Sequence, residues 1–567
     1  MIYDIKLGNR IYFTFSMQKN CRQCTQKLEV TDEDLKFYDK ISPVFGGRKF
    51  PIPIPTLCPS CRQQRRLVFR NERKLYHRKC DLTGKEIISM YSPDKKIKVY
   101  DREVWWSDRW NPLDYGKNFD FSRPFFEQFK ELLIAVPRIA LNNKDPYNSE
   151  YCNFALENRD CYLTFTSGLE ESCFYTNRSF RNKNCSDCTT TEDSELCYEM
   201  IDSIHCYHSS WLQNCTNSSD CFFGYNLKGC SYCFGCANLT QKKYHIFNQP
   251  YSEEEYKKRL QELWKNLPAA RKEFEKMKLK AIRKNINGMQ LENCSGDALF
   301  NSKNAQDCYE GNHLQDCRYV TNTTNMKDSY DVDNDDNSEL VYECVGSETN
   351  YQHLFNDICW FNTDDYYNSL CFNSKNIFGC VGLKKNQYCI LNKQYSKEEY
   401  EQLVPRIIEH MMKNGEWGEF FPMALSTFAY NETPAQDYYP LTREQAAQLG
   451  ATWEDYKETS GYQGVKIQVP DDISKVNDTI TKEILHCEQC GKNYKIILQE
   501  LQFYRKLLLP LPKKCPECRY KGRLELRNPR TLWTRSCAKC GTDMQTTYAP
   551  DRPETVYCES CYLKEIY

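Results

Sequence analysis

The sequence predicts a mixed, mainly β protein: a duplicated, parallel β-helix-like solenoid flanked by small metal-binding modules, with a few capping helices. Three observations predict it. Cysteine pairs at the two ends have the spacing of four-thiolate metal sites. A short cysteine-plus-aromatic mark recurs through the middle. The end modules and the middle are each present twice. Of 567 residues, 33 are Cys and 40 are Tyr.

The end modules come first. Residues 515–561 lie on residues 58–104 without a gap at an offset of 457, with 18 identities in 47 positions. Two Cys-x-x-Cys knuckles are the usual route by which four thiolates surround a tetrahedral Zn²⁺. Cys21, Cys24, Cys58 and Cys61 make one set. Cys487, Cys490, Cys515 and Cys518 make a second, and Cys537, Cys540, Cys558 and Cys561 a third. A fourth position fails: Cys80 lies under Cys537, but Thr83, Asp101 and Val104 lie under the other three ligands. Three zinc ions and one lost site are expected.

Composition sets the compartment and the partners. Hydrophobic content is 40%, mean hydropathy is −0.74 and the net charge is −1. No apolar run reaches the roughly 20 residues of a membrane span. The first fifteen residues lack a basic stretch leading into an apolar core, so no secretory leader is expected. Reduced thiols in a cytoplasm then fit the cysteine content. Residues 1–118 carry 24 basic against 14 acidic side chains, and residues 481–567 carry 16 against 10. The ends are net +10 and +6, which leaves −17 in the middle. Basic modules around an acidic centre imply that an anion would meet the ends.

Residues 1–118 form the first module, with one live metal site and one degenerate one. Ile11, Phe13 and Phe15 read as a strand before Cys21. The Gly- and Pro-rich stretch 41–57 reads as a loop. A helix follows Cys58, with Pro59 in its first turn and Asn71, like its twin Asn528, as a left-handed cap. On this helix Arg62, Arg66, Arg70 and Arg73 share one face, and Arg519, Arg523, Arg527 and Arg530 repeat them. A row of forked donors suits phosphate oxygens of a nucleic acid. The competing reading pairs the row with local carboxylates and the acidic middle. The aromatic run from Val99 to Phe126 reads as core that joins the module to its neighbour, with base stacking as its alternative.

Cys487-x-x-Cys490-Gly, Glu500-Leu-Gln-Phe-Tyr504 and Pro512-x-x-Cys515-x-x-Cys518-Arg resemble the zinc-ribbon, treble-clef-like domains of uncharacterised bacterial proteins. Modules of this kind around a Cys- and Tyr-rich middle are similar to a larger group of bacterial zinc-ribbon-domain-containing proteins. The resemblance implies a fold for the ends and no activity. The front copy departs from it by lacking a glycine after Cys24.

The middle is read as solenoid half 1 (119–250), a helical insert (251–285), solenoid half 2 (286–394) and a helix (395–413). Marks such as Cys161-Tyr162, Cys173-Phe174 and Cys359-Trp360 fall mostly 9 or 12 residues apart. That spacing indicates stacked coils, taken as roughly 20 residues each, with Cys and Asn in inward ladders and Tyr and Phe filling the core. A repeat of 144 places Ser194–Glu199 on Ser338–Glu343 and Tyr251–Tyr256 on Tyr395–Tyr400. Ser252 with Glu255, and Ser396 with Glu399, are capping boxes. The first helix is expected to run on past Pro268.

The same repeat separates metal ligands from core thiols. Cys230, Cys233 and Cys236 could hold a metal, but their counterparts are Ser374, Ile377 and Cys380. The twenty middle cysteines are therefore read mainly as core, with this triplet left open. The acidic run Asp328, Asp331, Asp333, Asp335 and Asp336 lacks the glycine and closing glutamate of an EF-hand and reads as a solvated turn. Residues 414–480 form an aromatic connector with a capping box at Thr442 and Gln445 and with Trp453 and Tyr456 docking it. Residues 481–567 are the double zinc module.

No catalytic constellation is visible, and the eight histidines have no partner pattern. Three readings follow in order. The first is a non-enzymatic zinc protein whose basic modules contact nucleic acid, RNA or a ribonucleoprotein, with the solenoid as rigid scaffold. The second is a purely structural scaffold for protein contacts. The third is a β-helix enzyme acting on carbohydrate.

Overall fold

The computed structural model describes residues 2–7, 10–455, 469–470 and 472–566, with residues 2–16 described by their backbone alone. Tyr456 lies outside the described residues. The chain is mainly β and contains two long sheets, eleven strands between Asn143 and Pro250 and ten between Gly288 and Gln394. All pairs in both are parallel except a last short hairpin. No helix among the described residues is long and apolar enough to cross a membrane.

The sheets are built on a three-residue period. From Phe154 to Phe247, and again from Ala298 to Leu391, every third residue has a positive φ near 50–60°. An L-residue there costs roughly 1–2 kcal/mol, with Asn and Asp least penalised. Both recur at these corners, and they stack: Asn226 Nδ2 donates to Asn238 Oδ1 at 2.8 Å and Asn148 Nδ2 to Asp160 Oδ1 at 2.7 Å. Each corner turns the chain, so it returns beside itself every twelve residues. Asn153 pairs with Phe165, and Phe165 with Asn177. Every outward position of the twelve has its own parallel ladder, such as Tyr162–Phe174–Ser186–Tyr198 and Glu171–Lys183–Glu195–Tyr207.

This corrects two expectations. The return is twelve residues, not about twenty; spacings of 9 and 12 are three and four sides of one turn. The aromatics do not fill the interior either. So short a return leaves a narrow interior, and one inner cluster holds Cys152, Cys161, Cys173 and Cys185 with Leu, Met and Ala but no aromatic ring. Phe174 and Tyr198, each following a cysteine, point outward onto the flanking module, and Tyr207 is half exposed.

The inward position has a chemical requirement. Its own amide is left out of the ladders and is taken by the inward side chain one turn earlier. Asn182 Oδ1 accepts from Ser194 N at 2.9 Å, and Ser194 Oγ accepts from Cys206 N at 3.1 Å. Thiols do the same, as Cys359 Sγ does for Cys371 N at 3.4 Å. They also donate onward nine residues, Cys185 Sγ to Ser194 O at 3.4 Å and Cys371 Sγ to Cys380 O at 3.5 Å. Cys, Ser, Thr and Asn are the small residues with an acceptor and a donor, and a buried amide without an acceptor costs about 1–3 kcal/mol.

The chain divides into two compact units. One joins residues 1–140 to 288–454; the other joins 141–287 to 455–567. Each therefore holds one module and one long sheet, and the first module goes with the second sheet. In the first unit a core runs from Phe37 and Phe69 through Phe125 and Phe129 to Tyr367, Trp417 and Phe421. Most of the aromatic run 99–126 is core here, with Trp105 and Phe125 fully buried. In the second unit, Phe503, Tyr504 and Leu509 pack on Phe174 and Tyr198.

The capping boxes at Ser252, Ser396 and Thr442 are formed. The helix after Ser252 ends at Trp264, and a separate one, Leu267–Lys280, carries Pro268 in its first turn. Asn71 is not a left-handed cap; its side chain bridges Lys74 and Met90 O at 2.7–3.0 Å.

Glu170 occupies an inward position, and burial pushes its carboxyl up to about 8 from the usual 4.5. Thr176 Oγ1 donates to it at 2.7 Å. Between these values the folded chain keeps a proton that the unfolded chain has released, so its contribution falls as pH rises from about 4.5 to about 8. Thermal unfolding of Glu170→Gln at pH 5.5 and 8.5 should show a smaller loss of midpoint across that range than the parent. An equal loss would mean that this carboxyl titrates normally.

Candidate metal centres

Each first knuckle is one backbone motif. The first cysteine leaves a strand, its amide donates to the carbonyl five residues on, and its carbonyl accepts from the residue four on. Cys21 N to Gln26 O is 2.8 Å, Cys487 N to Lys492 O 2.9 Å and Cys537 N to Thr542 O 2.8 Å. The fourth residue must be left-handed. Gly491 and Gly541 supply this, and the first module strains Thr25 into it at φ 61°. In all three groups the second pair opens a helix, Pro59–Leu67, Pro516–Glu525 and Glu559–Ile566, with Cys58 and Cys515 at the N-cap of the first two. A helix N-terminus favours a thiolate.

Three four-cysteine groups result: Cys21, Cys24, Cys58, Cys61; Cys487, Cys490, Cys515, Cys518; and Cys537, Cys540, Cys558, Cys561. Within each, all four sulfurs lie within 4.8 Å of one another. Tetrahedral Zn–S bonds of about 2.3 Å would put sulfurs about 3.8 Å apart. Cys24–Cys58 is 3.6 Å, Cys490–Cys515 3.7 Å and Cys540–Cys558 3.7 Å. All 33 cysteines are thiols without disulfides. Backbone amides are already turned to the sulfurs: Cys515 N reaches Cys487 Sγ at 3.2 Å, and Cys558 N reaches Cys537 Sγ at 3.3 Å. Burial opposes ionisation of Cys487, but the amides of Cys515, Cys490 and Gln489 outweigh it and bring the thiol to about 6. Cys537 falls to about 6 for the same reason. A hydrogen bond from Cys61 brings Cys58 down to about 5, while Cys61 itself is pushed up. The donor set and its dimensions fit a zinc ion, which would supply the charge that lets all four thiols ionise.

The fourth position keeps its geometry without its ligands. Cys80 N donates to Lys85 O and Gly84 N to Cys80 O, both at 2.8 Å, with Gly84 left-handed. Asp101 N donates to Cys80 Sγ at 3.3 Å, as Cys558 N does to Cys537. Cys230, Cys233 and Cys236 form no metal group among the described residues. All three are buried, with thiols donating to Leu239, Lys242 and His245 carbonyls at 3.3–3.8 Å.

Most of the arginines face inward onto carboxylates, as the competing reading of the rows has it. Arg62 Nη2 meets Asp331 Oδ2 at 2.8 Å. Arg66, fully buried, donates to Asp333 at 2.9 Å and to Asp331 and Glu343 at 3.2 Å. Arg519 Nε and Arg523 Nη1 share Asp187 Oδ1 at 3.1 and 2.7 Å. Arg527 pairs with Asp202 at 2.9 Å. Its twin Arg70 meets Gly346 at the matching corner and turns to Glu72 at 2.7 Å. Arg73 and Arg530 are half-buried. The run at 331–335 is therefore no solvated turn: Asp331 and Asp333 are fully buried partners of arginines, and Asp335 points inward. Aspartates at the corners project to the row because that phase faces out.

One constellation escaped the sequence reading. Ser347 Oγ lies 3.1 Å from His353 Nε2, and His353 Nδ1 lies 2.6 Å from Asp365 Oδ1. Burial alone would lower the imidazole pKa, but the Asp365 carboxylate holds it well above its ordinary value. All three are buried at inward positions, with His353 and Asp365 at zero exposure. The relay is sealed inside the sheet stack and serves as core. The three-residue phase would have revealed it.

No protein-family model matches the chain, and no curated protein does.

Elemental analysis of protein purified under reducing conditions should give three zinc per chain. Cys518→Ser should give two and Cys80→Ser should still give three. A fourth equivalent lost on Cys80→Ser would show the degenerate site to be live.

Proposed function

We propose that this chain is a non-enzymatic scaffold for protein contacts, in which zinc-ribbon-like modules clamp the sides of two β-helix-like solenoids. The carrying observation is where the arginines go. Six of the eight are at least nine-tenths buried or paired within their own unit, so the modules spend their positive charge on the acidic middle. The role of zinc in this reading is to hold each helix rigid while it presents its arginines. Structural zinc sites in small peptides are worth roughly 10–16 kcal/mol, enough to offset bringing buried ions together.

The carbohydrate-enzyme reading loses its best acid–base group to the interior, where Ser347, His353 and Asp365 have no access. Nucleic-acid binding through the rows would require breaking pairs such as Arg66–Asp333. It retains only surfaces outside them, and a cytoplasmic location remains part of the proposal.

Three measurements test this. Arg66→Ala leaves the buried Asp333 without its cation, while Asp331 keeps Arg62, and should destabilise the first unit by about 3–5 kcal/mol, read as urea unfolding. The parent should show no co-purifying nucleic acid by its 260/280 absorbance ratio. It should also leave the anisotropy of labelled single-stranded RNA unchanged at low salt. Tight, salt-dependent RNA binding that survives Arg66→Ala and Arg523→Ala would replace the scaffold reading with a nucleic-acid surface elsewhere.

A further inference from the structure

The duplication supplies an internal control, because the arginine helix and the sheet of one unit each have a twin in the other. In the first unit, Arg65 fills the space between helix and sheet. Its Nη2 donates to Glu343 at 2.9 Å and its Nη1 to Glu419 at 2.8 Å. Beneath it Phe355 stacks on Tyr367 at 4.6 Å, with Trp417 alongside. In the second unit, the twin of Arg65 is Gly522, and the twins of Phe355 and Tyr367 are Trp211 and Phe223, stacked at 4.5 Å.

Gly522 lies within the helix Pro516–Glu525, where glycine costs about 1 kcal/mol against alanine. No neighbour requires it: a Cβ built there meets nothing within 4 Å. What it leaves is a cavity of about 180 Å³ over Trp211, Phe223 and Phe274.

The charged part of the lining is mostly cationic. Arg271, Lys278, Lys514, Arg519 and Arg523 contribute, against Glu199 and Glu275. Arg523 is fully engaged with Asp187, Thr189 and Tyr175. Arg519 is not. It is 6% exposed, and its Nη1 and Nη2 are buried without a hydrogen-bond partner, Nη2 coming only to 3.6 Å from Glu500. Its twin Arg62 has Nη1 on Leu57 O at 2.7 Å and Nη2 on Asp331 at 2.8 Å. Lys278 meets no carboxylate among the described ion pairs, and burial lowers its pKa. Those two nitrogens are closed off over Tyr175 beside Glu500, so the cations the cavity itself offers an anion are Lys278, Arg271 and Lys514.

We propose that this cavity binds a small organic anion, a phosphate or carboxylate carried on a flat apolar ring. The anionic group meets Lys278, with Arg271 and Lys514 in the same lining, and the ring lies against Trp211 and Phe223. Leu526, 43% exposed at the rim, extends the apolar contact. The first unit has no such site because Arg65 occupies it.

Calorimetric titration of the full chain with phenyl phosphate tests this, with benzamidine as the cation of matching shape. Saturable binding of phenyl phosphate is expected, with benzamidine at least about tenfold weaker. Gly522→Arg, which copies the first unit, should abolish phenyl phosphate binding while keeping three zinc and the parent's unfolding midpoint. Should that variant fold poorly, Lys278→Ala on the neighbouring helix should weaken binding about tenfold. Absence of saturable binding, tighter binding of benzamidine, or unchanged affinity in Gly522→Arg or Lys278→Ala would each overturn the proposal.

Discussion

Both long sheets depend on one constraint: an amide at every third residue that no ladder reaches. A left-handed corner after every two extended residues folds the chain back within twelve, and it turns one N–H in three toward the interior. Only the inward side chain of the previous turn can accept it. The interior must therefore be lined with small groups that carry an acceptor. A thiol is the most apolar group that qualifies, which accounts for a middle rich in cysteines that, among the described residues, form no four-ligand group and no disulfide. Where Ile377, Val332 or Leu383 replaces a polar residue, the interior gains apolar contact and gives up that acceptor.

The same constraint places the charges. Corner residues face outward, so Asp187, Asp202 and Asp331 project from the sheet stack toward the helix that packs on it. The arginines sit one helical turn apart on that helix. Matching a turn of helix to successive corners gives a row of buried pairs, and such pairs fix one register because any slip strands a charge in a dry interface. An ion held by a four-cysteine group would fix where each helix begins, since two of the four cysteines are its cap and first turn.

The zinc ligands were legible because Cys-x-x-Cys spacing is set by a local backbone motif; Cys21, Cys487 and Cys537 each use the same two hydrogen bonds. The duplications were legible for the same reason, as direct alignment. The coil length was not, because 9 and 12 are both multiples of a hidden period of three, and that period is written in φ angles that Leu163, Trp211 and Ile358 adopt here as well as Asn226. The arginine rows were legible as a face and ambiguous in purpose. Phosphate and carboxylate present the same oxygens to a guanidinium, and only the pairing of the first module with the second sheet put Asp331 opposite Arg62.

The lost fourth site shows what zinc replaces. At the matching positions of the third site, Cys558 opens the helix Glu559–Ile566, and Cys558 and Cys561 remain half exposed, so little apolar burial holds that helix down. In the first module, Asp101 takes the place of Cys558 and caps the helix Arg102–Trp106 with its carboxylate, accepting from Glu103 N at 3.0 Å. Val104 replaces Cys561 and is buried, and Trp105 beside it is fully buried against Trp110 and Phe372. A cap and a buried indole do there what two thiolates and an ion do in the other module. A knuckle can keep its backbone hydrogen bonds and its left-handed glycine without four metal ligands where a core covers the helix beside it. By that logic the third site is the module most dependent on its ion, because no comparable core covers Cys540 and Cys561.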